Sequence, residues 1–335
     1  MAETTKEQYW KYSLILLIAL IGVLIFSELW PFVNGLLGAF TIFVLVRKQM
    51  VYLTERRGIH KIVAAILILL EVVVIIAVPI YFIALALINK IQTINIDINV
   101  LATMIQQFET TIKEKFNYEL FNTDTISIIT SYLSKGIQYI INQASGFVVT
   151  FVVMIFILYF ILVDYRKLER YVFELLPFNE GNSNEISREV YSMVQSNAIG
   201  IPLLAIIQGI IAYIGYLIFD VPSALFFAIL TCFSTIIPLV GTGVIWVPLA
   251  VYFAIIGDWF NAIGLAIYSA VILTNVDNVI RLVIQKKLAN THPLITVFGV
   301  ILGLSVFGFW GVIFGPLLLS LVFLLINIFK REYLK

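Results

Sequence analysis

Apolar residues fall in long blocks along this chain, and polar residues gather between the blocks. The first block covers residues 12–27 and the second 32–46, after Pro31. Residues 62–88 form a third, interrupted only by Glu71. Further blocks cover 146–163, closed by Asp164, and 198–219, closed by Asp220. A helix needs about 20 apolar residues to cross a hydrocarbon core about 30 Å thick, so each block predicts a membrane-spanning helix. Pro31 suits a tight hairpin or a helix start. Two later blocks, 221–257 and 293–329, exceed the reach of one span at about 1.5 Å per residue. Each is expected to fold back as two spans, or as one span plus a re-entrant segment. Residues 259–276 supply one more span between them.

The intervening segments are patterned too. Leu101, Ile105, Phe108, Ile112 and Phe116 recur at helical spacing among charged and amide residues, which predicts an amphipathic helix. Asn122-Thr123-Asp124 offers an N-cap for a second, through Ile129, Leu133, Ile137 and Ile140. Such a pair can pack on the rest of the protein as a helical hairpin, or serve as a subunit contact or interfacial element. In the linker at 164–196, Gly181-Asn182-Ser183-Asn184 predicts a break, and Asn182 with Glu185 has capping-box spacing. The helix that follows, with Ile186, Val190, Met193 and Val194 on its apolar face, should lead straight into the next span.

Composition agrees with this all-α, polytopic membrane reading. Of 335 residues, 61% are hydrophobic and 12% charged, against about 45–50% and about 25% in soluble domains. Mean hydropathy is +1.03. A net charge of +1 gives no field to attract nucleic acid. The single cysteine, Cys232, allows no intrachain disulfide, and His60 and His292 form no zinc pattern, so no metal centre is expected. Lys6 and Lys11 before the first block imitate a signal peptide, but that block ends in Glu28-Leu29-Trp30-Pro31 without a small-residue cleavage site. A retained first spanning helix is expected.

Charge then orients the spans. Arg47, Lys48, Arg56, Arg57 and Lys61 face one acid, Glu55, in the loop 47–61, which the positive-inside rule makes cytoplasmic. Lys6 and Lys11, Arg166, Lys167, Arg170 and Arg188, Lys286 and Lys287, and the tail with Lys330, Arg331 and Lys335 fall on the same side. Both termini are therefore expected inside. The expected division is 1–88 for the first membrane segments, 89–145 for the external amphipathic segment, and 146–335 for a membrane core.

Polar groups inside a bilayer are costly and mark candidate sites. Asn275, Asp277, Asn278 and Arg281 form the densest group; Asp277 and Arg281, four apart, share a helical face and can pair. They can wall a substrate path, or Arg281 can simply snorkel at the end of a span. Glu71 sits within an apolar run, where it can carry a proton or hydrogen-bond a neighbouring helix. Asn197 and Gln208 are further polar groups in or beside the fifth span. Pro238, Gly241, Thr242 and Gly243 break an apolar helix, as do Gly315 and Pro316 after Gly303, Gly308 and Gly311. Broken backbone at membrane depth needs protein or a water-filled cavity to satisfy it. No HExxH, GxSxG or Walker pattern is present, so neither an intramembrane enzyme nor nucleotide hydrolysis is expected, and no cofactor.

Several of these pieces resemble the autoinducer-2 exporter family of bacterial membrane proteins. They are Gln208-Gly209, Val221-Pro222 with Ala224, Ile237-Pro238-Leu239-Val240-Gly241-Thr242, Asp277-Asn278 with Arg281, His292-Pro293-Leu294, Phe307-Gly308 with Gly311, and Gly315-Pro316. Their order and spacing also match. Leu282 stands where the family often has proline. The resemblance implies a multi-pass inner-membrane transporter with about eight membrane segments that forms homo-oligomers. It implies export of a small furanone-type signal, or, as in other members, sodium(lithium)/proton antiport. Its partners would be the lipid bilayer and a small-molecule or cation substrate.

Overall fold

The structure is a computed structural model, and it describes residues 5–93, 131, 146–237, 240–276, 279–280 and 293–334. Every regular element among them is helical. In chain order these are α1 (Thr5–Leu29), α2 (Val33–Val51), α3 (Lys61–Thr93), α4 (Gly146–Val163), α5 (Tyr165–Leu175), α6 (Glu180–Ile218), α7 (Ala224–Ser234), α8 (Gly243–Ile255), α9 (Trp259–Tyr268), α10 (Pro293–Phe307) and α11 (Gly311–Tyr333). Pro31 sits in a 3-10 turn, Trp30–Phe32, between α1 and α2. Six helical stretches among the described residues are long and apolar enough to cross a membrane. Two of them, Tyr9–Arg56 and Leu294–Tyr333, are interrupted by 3-10 turns, and α7 and α8 are shorter apolar helices. Of the amphipathic segment expected at 89–145, residues 89–93 continue α3 and Ser131 is described; the expected helices through Phe108 and Leu133 otherwise lie outside the described residues.

Three apolar clusters hold the helices together. One joins α2, α3 and α4 through Phe43, Ile68 and Leu158. A second joins α6, α7, α8 and α9 through Tyr216, Ala228, Leu249 and Leu265. The third links them, with Val44 of α2 and Met193 and Val194 of α6 against Ile313, Phe314 and Leu317 of α11. The link exists because α6 is one helix of 39 residues, running through Pro202 without a break. The linker therefore leads straight into the span. The linker's break falls at 176–179, before the expected 181–184. Asn179, not Asn182, is the N-cap: its Oδ1 accepts from the Asn182 amide at 2.9 Å. The helix thus starts before Gly181, and Asn182 is buried in it, accepting from Arg331 Nη2 at 2.5 Å.

Three of the basic segments are joined to one another by ion pairs. Arg47 donates to both oxygens of Glu169, Nε at 2.5 Å and Nη2 at 2.9 Å, and the Tyr191 hydroxyl donates to Glu169 at 2.9 Å. Arg166 pairs with Glu55, and Lys61 with Asp164. Arg331 of α11 reaches Glu185 of α6. Segments 47–61, 164–196 and the C-terminal tail are thereby tied together. Burial pushes the Glu169 carboxyl up, but its bonds from Arg47 and Tyr191 outweigh this and hold it below the usual carboxylate range. A depressed pKa contributes stability above the unfolded value, about 4.3 for glutamate, and loses it as pH falls through the folded value. With side chains 38% and 30% exposed, solvent limits the contribution to about 1 kcal/mol. Thermal melting followed from pH 6 to pH 3 should therefore decline less steeply for Glu169→Gln than for the native chain.

Candidate functional site

The second cluster contains a polar seam. Along α6, Gln208, Gly209, Gly215 and Tyr216 face α7 on one side and α9 on the other. Small residues let these helices approach closely: a β-carbon on Gly209 would run into Cys232 Sγ of α7, and one on Gly215 into the Tyr268 ring of α9. Within the interface the Tyr216 and Thr231 hydroxyls lie 2.9 Å apart, and Tyr268 donates to the Ile211 carbonyl at 2.9 Å. Each bond satisfies a hydroxyl that the bilayer could not.

The helix after Tyr268 widens into a π segment, Ser269–Leu273. Single π turns are common at functional sites because they displace backbone carbonyls from their usual partners. Gln208, 0% exposed, donates its amide to the Leu273 carbonyl at 3.2 Å. Its Oε1 has no partner, nor does the Oγ of Ser269, one turn before Leu273 and also 0% exposed. A buried acceptor without a donor costs about 1–3 kcal/mol. Both oxygens lie on one interface, and a donor from outside the chain would satisfy them. Each fully buried polar side chain among the described residues is uncharged.

Beside the seam, α7 and α8 form a broken pair. At 11 and 13 residues they reach only about 17 and 20 Å, too short to span about 30 Å of hydrocarbon. They meet at the turn containing Gly241, where a β-carbon would lie 2.6 Å from the Ile237 carbonyl oxygen and 2.8 Å from Thr235 Cα. Only glycine fits there. Thr242 holds the N-cap position of α8, which begins at Gly243, without a side-chain cap bond. This is the fold-back expected of block 221–257. The last block folds back as well, by the 3-10 turn Gly308–Trp310, so that Gly299 and Gly303 of α10 lie against Gly315, Pro316 and Gly311 of α11.

The family model described as AI-2E family transporter matches residues 14–331. The chain belongs to the AI-2E transporter family. Among its relatives, the Methanocaldococcus jannaschii protein named "Putative transport protein MJ1177" is 26% identical over 89% of this chain and 90% of its own length. An Aquifex aeolicus "Putative transport protein" is 25% identical over 65% of this chain and 62% of its own length. The Escherichia coli "Putative permease PerM" is 34% identical, over 49% of this chain and 47% of its own. The protein is thus a multi-pass membrane protein of a transporter family.

Among the described residues, the candidate polar side chains Gln208, Asn197, Asn275 and Glu71 lie in separate places. Gln208 is in the seam. Asn197 donates to the Ile313 carbonyl at 3.4 Å, tying α6 to α11. Asn275 is exposed and donates to the Val271 carbonyl of its own helix at 2.6 Å. Pro238, Asp277, Asn278 and Arg281 lie outside the described residues. Glu71 is not alone in its run: Gln49 donates to it. Helix continues from α2 through a π segment to Arg56, so Lys61–Glu71 climbs beside residues 47–56. Gln49 is two residues past Arg47 toward the basic turn, and Glu71 shares that level. Sequence reasoning missed Ser269, Tyr216, Thr231 and Tyr268. Their signal is weak, because a hydroxyl in an apolar helix usually satisfies itself on its own backbone.

Proposed function

We propose that the protein exports a small, neutral, polar signalling molecule of the autoinducer-2 kind, by alternating access driven by a proton or ion gradient. The observation that carries this reading is the buried, uncharged seam with free acceptors at Gln208 Oε1 and Ser269 Oγ. Such acceptors match the hydroxyls of a neutral solute and leave no buried charge to neutralise. The broken α7–α8 pair beside them supplies backbone that can rearrange during transport. In this reading the basic side is cytoplasmic, both termini lie there, and the membrane is the bacterial inner membrane. Residues 1–88 and 146–335 form the membrane body, 89–145 lie outside it, and the chain works as a homo-oligomer. The group at Asn275, Asp277, Asn278 and Arg281 lines the continuation of the path.

A sodium(lithium)/proton antiport reading is favoured by one fact: both orphan atoms are oxygens, the donor type that hard monovalent cations take. Uptake of labelled autoinducer-2 into everted vesicles decides between the two. Gradient-dependent accumulation above empty vesicles, collapsed by a protonophore, is the expected result. Intact protein that accumulates no signal but moves protons on addition of sodium would overturn export in favour of antiport.

A further inference from the structure

Where α4 leaves its apolar stretch and α5 begins, an open groove of about 590 Å³ runs along the outer face of both helices. Its upper wall is Phe160 and Ile161, on the last turn of the α4 span. Its lower wall is Leu168 and Tyr171 of α5, with Lys167 and Arg170 beside them. The inner face of α5 is already engaged, through Glu169 with Arg47 and Arg166 with Glu55. Among the described residues nothing engages the outer face. Leu168, Tyr171, Val172 and Leu175, at i, i+3, i+4 and i+7, are 39%, 61%, 51% and 62% exposed. That spacing is the apolar stripe of a helix lying in a membrane interface.

The charges in the groove select a headgroup. Asp164 is held by Lys61 and Lys167, each at 3.5 Å. Arg170 has no ion-pair or hydrogen-bond partner among the described residues, and Glu174, the other acid lining the groove, forms no ion pair with it. The lining holds two cations, Lys167 and Arg170, and two acids, Asp164 and Glu174; Lys61, outside the lining, pairs with Asp164 and brings the local balance to one positive charge in excess. A planar guanidinium next to an ammonium suits a phosphate diester. Above the charges, Phe156 and Phe160 are 64% and 53% exposed on α4, an apolar track for an acyl chain. We propose that this groove is a lipid site, holding the phosphate of an anionic phospholipid on Arg170 and Lys167 with its acyl chain along Phe160 and α4, in the leaflet bordering the basic side. The site pins α5 to the membrane surface, and it stands whatever solute the protein carries.

Native mass spectrometry of the full chain, titrated separately with phosphatidylglycerol, phosphatidylcholine and inorganic phosphate, tests it. Phosphatidylglycerol should be retained in preference to phosphatidylcholine, with no competition from inorganic phosphate at matched concentration. Arg170→Glu should cut that retention about fivefold or more, and Arg170→Lys should keep most of it. Lys48→Glu, an exposed cation of the same basic side that does not line the groove, should leave it unchanged. Equal retention of both lipids, or equal loss in Arg170→Glu and Lys48→Glu, would overturn the site in favour of general surface attraction. Displacement by inorganic phosphate would overturn the lipid as its occupant.

Discussion

Gly303→Leu should lower the melting temperature on the order of 5 °C or more, while Gly22→Leu should leave it within about a degree. Both changes place the same side chain on an apolar helix. The difference lies in what the new atoms meet. A β-carbon on Gly22 in α1 has nothing within 4 Å. One on Gly303 would lie 2.7 Å from the Gly315 Cα and run into the Gly311 carbonyl. The arrangement is reciprocal: a β-carbon on Gly311 would lie 2.5 Å from the Leu304 amide nitrogen, and one on Gly299 at 2.5 Å from Pro316 Cα. These neighbours are backbone and cannot rotate away. The two helices would have to separate along their length, and overpacking of this kind costs about 3 kcal/mol or more. In lipid no hydrophobic drive re-forms the contact, since acyl chains are as apolar as the separated faces. Because α11 also carries Ile313, Phe314 and Leu317 into the cluster that joins the two halves, the loss should spread. The measurement is thermal unfolding of both variants in the same lipid–detergent mixture. Equal melting temperatures would show that α10 and α11 do not pack through their glycines.

Much of this fold is legible in the sequence because a bilayer imposes one dominant rule. Helix length and apolar composition place the spans, and the oversized blocks 221–257 and 293–329 announce their own fold-backs. What the pattern leaves out is partnership. Glu71 reads as an isolated carboxylate because Gln49, 22 residues earlier, belongs to a different segment of the chain. Asn182 reads as a cap because the better one, Asn179, follows Phe178 rather than a run of small residues. The π segment at Ser269–Leu273 leaves no mark in composition, yet it decides which carbonyl Gln208 meets. Gln208 itself was legible, since one amide in an otherwise apolar span draws notice. Ser269 was not, since serine in a spanning helix is common and usually inert.

Gln208→Leu should reduce transport at least about tenfold and change stability by no more than about 1 kcal/mol. The stability half follows from the hydrogen bonds. Leucine nearly matches glutamine in volume and removes the orphan Oε1 along with the amide that serves the Leu273 carbonyl. A helix–helix hydrogen bond in a membrane averages about 0.6 kcal/mol, and relief of the unpaired acceptor offsets it. The transport half follows from position: Gln208 is fully buried between α6 and the π segment, so its oxygen serves no packing purpose that leucine lacks. Ser269→Ala should behave alike, losing an unpaired hydroxyl and part of the transport. Glu71→Gln supplies the contrast. It preserves a side-chain oxygen that can accept the bond from Gln49 while abolishing the charge. Export along the seam should then persist within about twofold, whereas proton-coupled antiport using Glu71 would stop. Uptake rates of the three variants, normalised to folded protein in the same vesicles, carry the decision. Full transport by Gln208→Leu would remove the seam from the path, whatever the other two variants do.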